Sequence, residues 1–187
     1  MANHRVYNDS GDALYIKGSP DPINSLLLPT IEFDHHQVHE GEAFQWTYGP
    51  IALANGASFE YQLIVGAVTN TTRTPHLVIE CDSTVETWLH LFEGPTITVA
   101  GTAKVPLNRN RGSVAACNAV LKETPTASAD GTQLTAFICG AGKSGGQARG
   151  AVEWVLKPST VYLIRATAKT TGDNICLRME FYEDTGV

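Results

Sequence analysis

Residues 31–41, Ile-Glu-Phe-Asp-His-His-Gln-Val-His-Glu-Gly, concentrate the side chains of this chain best suited to chemistry. Three of the six histidines (His35, His36, His39) and three acids (Glu32, Asp34, Glu40) fall within this stretch. Imidazole and carboxylate together ligate zinc and non-haem iron, and they also carry general acid–base catalysis. Spacing decides between these readings. On a helix, His35 and His39 would stand one turn apart, as in H-E-x-x-H, but there the Glu lies between the histidines and here Glu40 lies outside them. Pro29 before the segment, Gly41 after it, and the lack of an apolar stripe through Phe33 and Val38 argue against a helix. An extended chain would place His35, Gln37 and His39 on one face and His36, Val38 and Glu40 on the other, dividing the cluster. Jelly-roll metal enzymes of the cupin type use His-x-His followed by Glu, whereas this chain has His-x-x-His. The expectation is a hydrogen-bonded histidine turn ending at Gly41, which tolerates a positive φ. A metal held by His35, His36, His39 and Glu40 is the alternative; no cofactor is expected.

Two further motifs fail on inspection. Gly142-Lys143-Ser144 ends like a phosphate-binding loop, but Phe137 stands where the first glycine is required, and the glycine-rich sequence that follows cannot open a helix. Asn108-Arg109-Asn110-Arg111 is the densest basic spot and a candidate contact for an acidic partner. No G-x-S-x-G is present, and no local motif marks out a serine or cysteine nucleophile. The chain reads as a non-enzyme.

The elements that must position these residues are strands. With 187 residues, 43% of them hydrophobic and 17% charged, the chain suits one globular domain with a substantial core. A net charge of −6 disfavours direct contact with nucleic acid. No apolar run approaches the ~20 residues of a membrane span, and the N-terminal sequence has no apolar core of a secretion signal. Synthesis in a cytosol would keep Cys81, Cys117, Cys139 and Cys176 reduced. Residues 175–182 alternate Ile175, Leu177, Met179 and Phe181 with polar neighbours, and 59–68, 76–81, 85–92, 134–139, 151–156 and 161–168 also read as strands. Asn55-Gly56, Glu93-Gly94, Asp130-Gly131 and Gly172-Asp173 punctuate them as turns. The expected fold is all-β, a single-domain β-sandwich or jelly roll spanning 31–187. Residues 1–30, polar and turn-rich before Leu26-Leu27-Leu28, are expected to form an extended arm or edge strand. Stretches 101–113, 122–132 and 140–150 look like loops, where binding commonly resides.

Asp34-His35-His36-Gln37-Val38-His39-Glu40-Gly41-Glu42-Ala43-Phe44 resembles the D-x-H-H-x-x-H-E-G-x-x-F signature of a group of tailed-bacteriophage virion proteins. Two further segments resemble the same group in the same order. They run from Leu91-Phe92-Glu93-Gly94-Pro95-Thr96 through Asn108-Arg109-Asn110-Arg111, and from Glu153 to Arg165. The resemblance implies an all-β structural protein of the phage particle, a capsid decoration or cement protein. Made in the host cytoplasm, it would sit on the capsid surface of the virion. Its implied partners are the major capsid protein of the same phage and itself, as a dimer or trimer. Under this reading Asp34, His35, His36, His39, Glu40 and Gly41 form a structural motif. Leu26, Leu27, Leu28 and Asn108, Arg109, Asn110, Arg111 are the candidate partner-binding residues. Two alternatives remain open. One is a tail, baseplate or fibre-associated β-domain binding carbohydrate or host through Trp46, Tyr48, Trp88 and Trp154. The other is a metal-dependent jelly-roll enzyme.

Overall fold

The computed structural model describes residues 33–67, 74–140, 147–149 and 153–184, preceded by four two-residue strands, with side chains described from Gln37 onward except at 147–149, Asp173 and Asp184. The chain divides into two compact units, Met1–His36 and Gln37–Val187. In the first, β1 (Val6–Tyr7) pairs antiparallel with β2 (Ala13–Leu14), and β3 (Ser19–Pro20) with β4 (Leu26–Leu27). Leu28 and the Gly142-Lys143-Ser144 stretch lie outside the described residues.

The second unit is an antiparallel sandwich. Its strands are β5 (Ala43–Leu53), β6 (Ser58–Ile64), β7 (Thr74–Ser83), β8 (Thr87–Glu93), β9 (Thr96–Val99), β10 (Thr102–Lys104), β11 (Leu107–Asn108), β12 (Val120–Glu123), β13 (Thr126–Ala129), β14 (Thr132–Cys139), β15 (Gln147–Arg149), β16 (Trp154–Val155), β17 (Val161–Ala168) and β18 (Asp173–Asp184). One sheet runs β10-β12-β6-β17-β8-β14. The other runs β11-β5-β18-β7-β15, with β16 also on β7, and a separate ribbon joins β13 to β9.

Period-two patterning explains why the sheets stack. Along β18, Ile175, Leu177, Met179 and Phe181 are buried while Cys176, Arg178, Glu180 and Tyr182 are half-exposed. Along β6 and β17 the inward residues are Phe59, Tyr61 and Leu63, and Tyr162, Ile164, Ala166 and Ala168. Both inner faces meet in one core, and each large apolar side chain taken out of water there contributes about 1.5–3 kcal/mol. At the expected glycine turns Gly56, Gly94, Gly131 and Gly172 are all at positive φ, and a turn also follows Lys157 at Pro158-Ser159 where Lys157-Pro158 reads as one.

Three expectations are corrected. Residues 33–40 form a helix, α1 (Phe33–Glu40), and not an extended turn. Phe33 and Val38 make no stripe, so periodicity gives no signal there. The helix is legible instead at its end. Gly41 N–H donates to the Val38 carbonyl at 3.1 Å and Glu42 N–H to that of Gln37 at 2.9 Å, with Gly41 at φ 77°. That bond pair is a Schellman ending, which glycine completes at least cost. Second, β5 is not among the expected strands, and it runs straight through Gly49-Pro50. It does so because the β5–β18 register slips there, Tyr48 facing Leu177 and Ile51 facing Ile175, and a bulge tolerates proline. A Cβ on Gly49 would stand 2.3 Å from the Ile175 carbonyl oxygen, so the crossing needs glycine. Third, the stretches read as loops at 101–113 and 122–132 contain β10, β11 and β13 and the end of β12. These strands are too short to show alternation.

Candidate functional site

The end of α1 and the Asn108–Arg111 segment, some seventy positions apart in sequence, form one joint. Asn108 is buried, and its side-chain amide donates to the Gly41 carbonyl at 2.7 Å and to the Ala115 carbonyl at 3.3 Å. Its Oδ1 accepts from Asn110 N–H at 2.9 Å. Asn110 in turn donates from Nδ2 to the His39 carbonyl at 3.0 Å, and its Oδ1 accepts from Gly112 N–H at 3.1 Å. β11 pairs with β5, Asn108 facing Phe44, and Arg109 N–H donates to the Ala43 carbonyl at 2.8 Å. Gly41 is buried against Ser113, where an added Cβ would lie 2.4 Å from the hydroxyl. Two of the segments that carry the resemblance are thus bound together through carbonyls and asparagine amides.

This geometry sorts the candidates. Asn108 and Asn110 turn inward as the lock, whereas Arg109 and Arg111 are exposed. Gln45, Trp46, Thr47, Leu107, Arg109 and Arg111 line a groove of about 430 Å³ against the edge of β5. Arg109 stands 3.7 Å from Glu180. Behind the groove, Trp46 Nε1 donates to the Tyr61 hydroxyl at 2.9 Å, which donates to Glu123 at 3.3 Å. Lys104 completes the chain with an ion pair to Glu123 at 2.7 Å and lies over the Trp46 ring. Burial holds the Tyr61 hydroxyl well above the ordinary phenol range, so it is a neutral donor here.

The histidine cluster is placed in part. The helix puts His35 and His39 one turn apart, and likewise His36 and Glu40. That differs from the alternating faces expected of an extended chain. The His39 and Glu40 side chains are exposed, and those of Asp34, His35 and His36 lie outside the described residues. Among the described residues, no three of His, Cys, Asp and Glu converge in a way that could hold a metal ion.

A second locus is on the outward face of the other sheet. Arg165 on β17 sits between Glu60 and His90 in register. It donates to Glu60 at 2.5 Å and grips both Asp130 oxygens at 2.7 and 2.6 Å. The guanidinium hydrogen bonds hold the Asp130 carboxyl below its usual range. His90 stacks on Phe92, and Trp88 continues the row toward the sheet edge. Burial, then the charges of Arg165 and Lys169, push His90 below its ordinary 6.5. Its Nδ1 is buried without a hydrogen-bond partner among the described residues. Trp88 remains 39% exposed, with Lys169 Nζ 3.7 Å from the centre of its ring and Glu86 accepting from its indole N–H. With Ala136, Phe137 and Ile138 this row lines a shallow recess of about 320 Å³.

Sequence reasoning named Trp88 but missed His90 and Phe92 beside it, although T-W-L-H-L-F-E carries their signal in an aromatic ring at every second position. Of the other aromatic candidates, Trp46, Tyr48 and Trp154 are half-buried and packed against the core. The third signature segment is also structural. Glu153 accepts from Tyr182 and from His76; burial would raise its pKa, but these bonds pull it below the ordinary range. Tyr162 and Lys157 both reach Glu93. No helix among the described residues is long and apolar enough to cross a membrane.

No protein-family model, curated protein or solved structure matches this chain.

Proposed function

We propose that this chain is a structural protein of a tailed-phage particle, a capsid decoration protein that binds the assembled head and stabilises it. The observation that carries this reading is the build of the 105–114 segment. Val105 and Leu107 are 71% and 57% exposed, Val114 is fully exposed, and Arg109 and Arg111 are exposed beside them. The Asn108–Asn110 lock ties the turn that follows β11, and with it part of that apolar and cationic surface, to the end of α1. A chain of net charge −6 that keeps two arginines and several bare aliphatics on one fixed segment has a surface suited to an acidic, partly apolar partner. On a capsid that partner is the major capsid protein. The resemblance of the 34–44, 91–111 and 153–165 segments to virion proteins is in keeping with the same reading.

The mechanism is linkage. A protein that binds only the expanded lattice stabilises it by mass action, by about 2.7 kcal/mol per site at a free concentration one hundred times Kd. Bridging neighbouring subunits strengthens the effect, and lattice symmetry favours a dimer or trimer. The test is cosedimentation with DNA-free expanded capsids of the phage that encodes the chain. The intact protein should pellet with capsids and raise their melting temperature, and Arg109→Ala with Arg111→Ala should weaken binding at least tenfold. Failure of the intact protein to pellet would refute the proposal.

One observation favours a second reading, a tail-associated domain that binds carbohydrate: the Trp88 row, an exposed ring beside a shallow recess, is the kind of surface on which a sugar stacks. Glycan binding lost in Trp88→Ala would select it.

A further inference from the structure

We propose that Cys81 and Cys139 are a disulfide-forming pair that joins the two sheets of the sandwich when the chain meets a disulfide oxidant of the glutathione class. Cys81 is on β7 of one sheet, and Cys139 is the last residue of β14, the edge strand of the other. Both are fully buried, at 0% and 1% exposure. Their sulfurs lie 2.8 Å apart, the Cys139 thiol directed at Cys81 and, at 3.5 Å, at the Thr87 carbonyl. That separation is far inside ordinary sulfur contact and short of the ~2.04 Å bond, so closure needs only a small side-chain movement. Cys117 and Cys176 have different surroundings. Cys117 donates to Glu183, and Cys176 is half-exposed on the outer side of β18.

The pair lies 58 positions apart in sequence. A crosslink over that span restricts the unfolded chain strongly, and here it would also tie the end of β14, the last strand in its sheet order, to the facing sheet. The reaction balances without a metal. One cysteine thiolate attacks glutathione disulfide, releasing one glutathione thiol and forming a mixed disulfide. The second thiolate then attacks the protein sulfur of that mixed disulfide, forming the Cys81–Cys139 bond and releasing the second glutathione. The protein loses two hydrogens and two electrons, and one glutathione disulfide becomes two thiols. A reducing cytosol holds the pair open, and an oxidising medium closes it. This pair does not depend on the proposed function.

The full chain should be refolded from urea in a buffer of oxidised and reduced glutathione, denatured, capped with N-ethylmaleimide and weighed intact. Two maleimide adducts in place of four, on a chain that is itself lighter by two hydrogens, and a linked peptide pair containing Cys81 and Cys139 are the expected result. The oxidised protein should melt roughly 5–15 °C above the reduced one. The Cys117→Ser, Cys176→Ser variant should keep the whole effect, and Cys139→Ser should lose it. Four reactive thiols after oxidation, or a linkage through Cys117 or Cys176, would overturn the proposal. The wild-type mass decides this even if Cys139→Ser does not fold.

Discussion

Replacing Asn108 tests whether the lock between α1 and the 108–111 segment holds the candidate surface. Asn108→Ala removes the two donated bonds to Gly41 and Ala115 and the one accepted from Asn110, at 2.7, 3.3 and 2.9 Å. A typical bond contributes about 0.5–1.5 kcal/mol net, and a buried partner left unpaired costs about 1–3. The 3.3 Å bond is weak, and the Ala115 and Asn110 ends are partly open to water, so the sum settles near ~3 kcal/mol. For a domain of this size that is a fall in Tm of roughly 6–12 °C. Asn108→Asp is the sharper probe. It keeps the acceptor for Asn110 N–H but turns a negative oxygen toward two carbonyl oxygens, so it should cost more than alanine at neutral pH. Protonating that carboxyl in acid should recover part of the loss. Differential scanning calorimetry of both variants at neutral pH and near pH 4 is the assay. Aspartate tolerated as well as asparagine, or alanine within 2 °C of wild type (roughly 1 kcal/mol or less), would show that the lock does not hold this region.

Other predictions follow from the same geometry. Gly41→Ala should cost about 2 kcal/mol through φ 77° alone, and more through the clash with Ser113; adding Ser113→Gly should recover only the clash, as read by urea unfolding. Acid should destabilise the fold in two steps. His90 is depressed below 6.5, so the unfolded chain binds the extra proton and stability falls as pH drops through that value toward the folded one. Asp130 is depressed too, so its contribution is present above the ordinary carboxylate range and lost as pH falls through its lower folded value. His90→Phe should flatten the first step in a Tm-versus-pH series, while Arg165→Met should shrink the second, and only modestly because Asp130 is partly exposed to solvent. If the histidine segment is structural, EDTA should leave Tm unchanged; a fall reversed by zinc or iron would assign a metal to it.

How much of this was legible in the sequence depended on chain period. β18 is long enough to repeat, and its buried residues are the alternating ones; β17 and β8 keep the alternation except at Leu163 and Phe92. Residues 33–40 are a helix without a stripe, so only Gly41 signalled its end, and the same eight residues can be written as either a split or a shared histidine face. β5 does not read as a strand because Gly49-Pro50 interrupts its pattern, and only the bulge opposite Cys176 shows why a strand survives the pair. The pairings of Arg165 with Asp130, of Asn108 with Gly41 and of Cys81 with Cys139 join residues 35, 67 and 58 positions apart. No local pattern carries such contacts; the sheet order creates them.

The site residues divide by what their side chains do in the fold, and that division bears on function. Asn108 and Asn110 spend their polar atoms on carbonyls and backbone amides, and Glu153, Tyr162 and Arg165 spend theirs on cross-strand partners. These groups conserve shape, so a resemblance carried by them concerns the framework. Specificity must then rest with the side chains the framework leaves outside: Val105, Leu107, Arg109, Arg111 and Val114 on one edge, and Trp88 with Ile138 on another. The first set combines two cations with bare aliphatics on a segment whose backbone is fixed at both ends, so a partner would order little more than the side chains on binding. An ordered backbone residue costs about 1–2 kcal/mol to fix. A surface already fixed therefore keeps most of its contact energy as affinity, which is the property that the proposed binding to many equivalent lattice sites calls for.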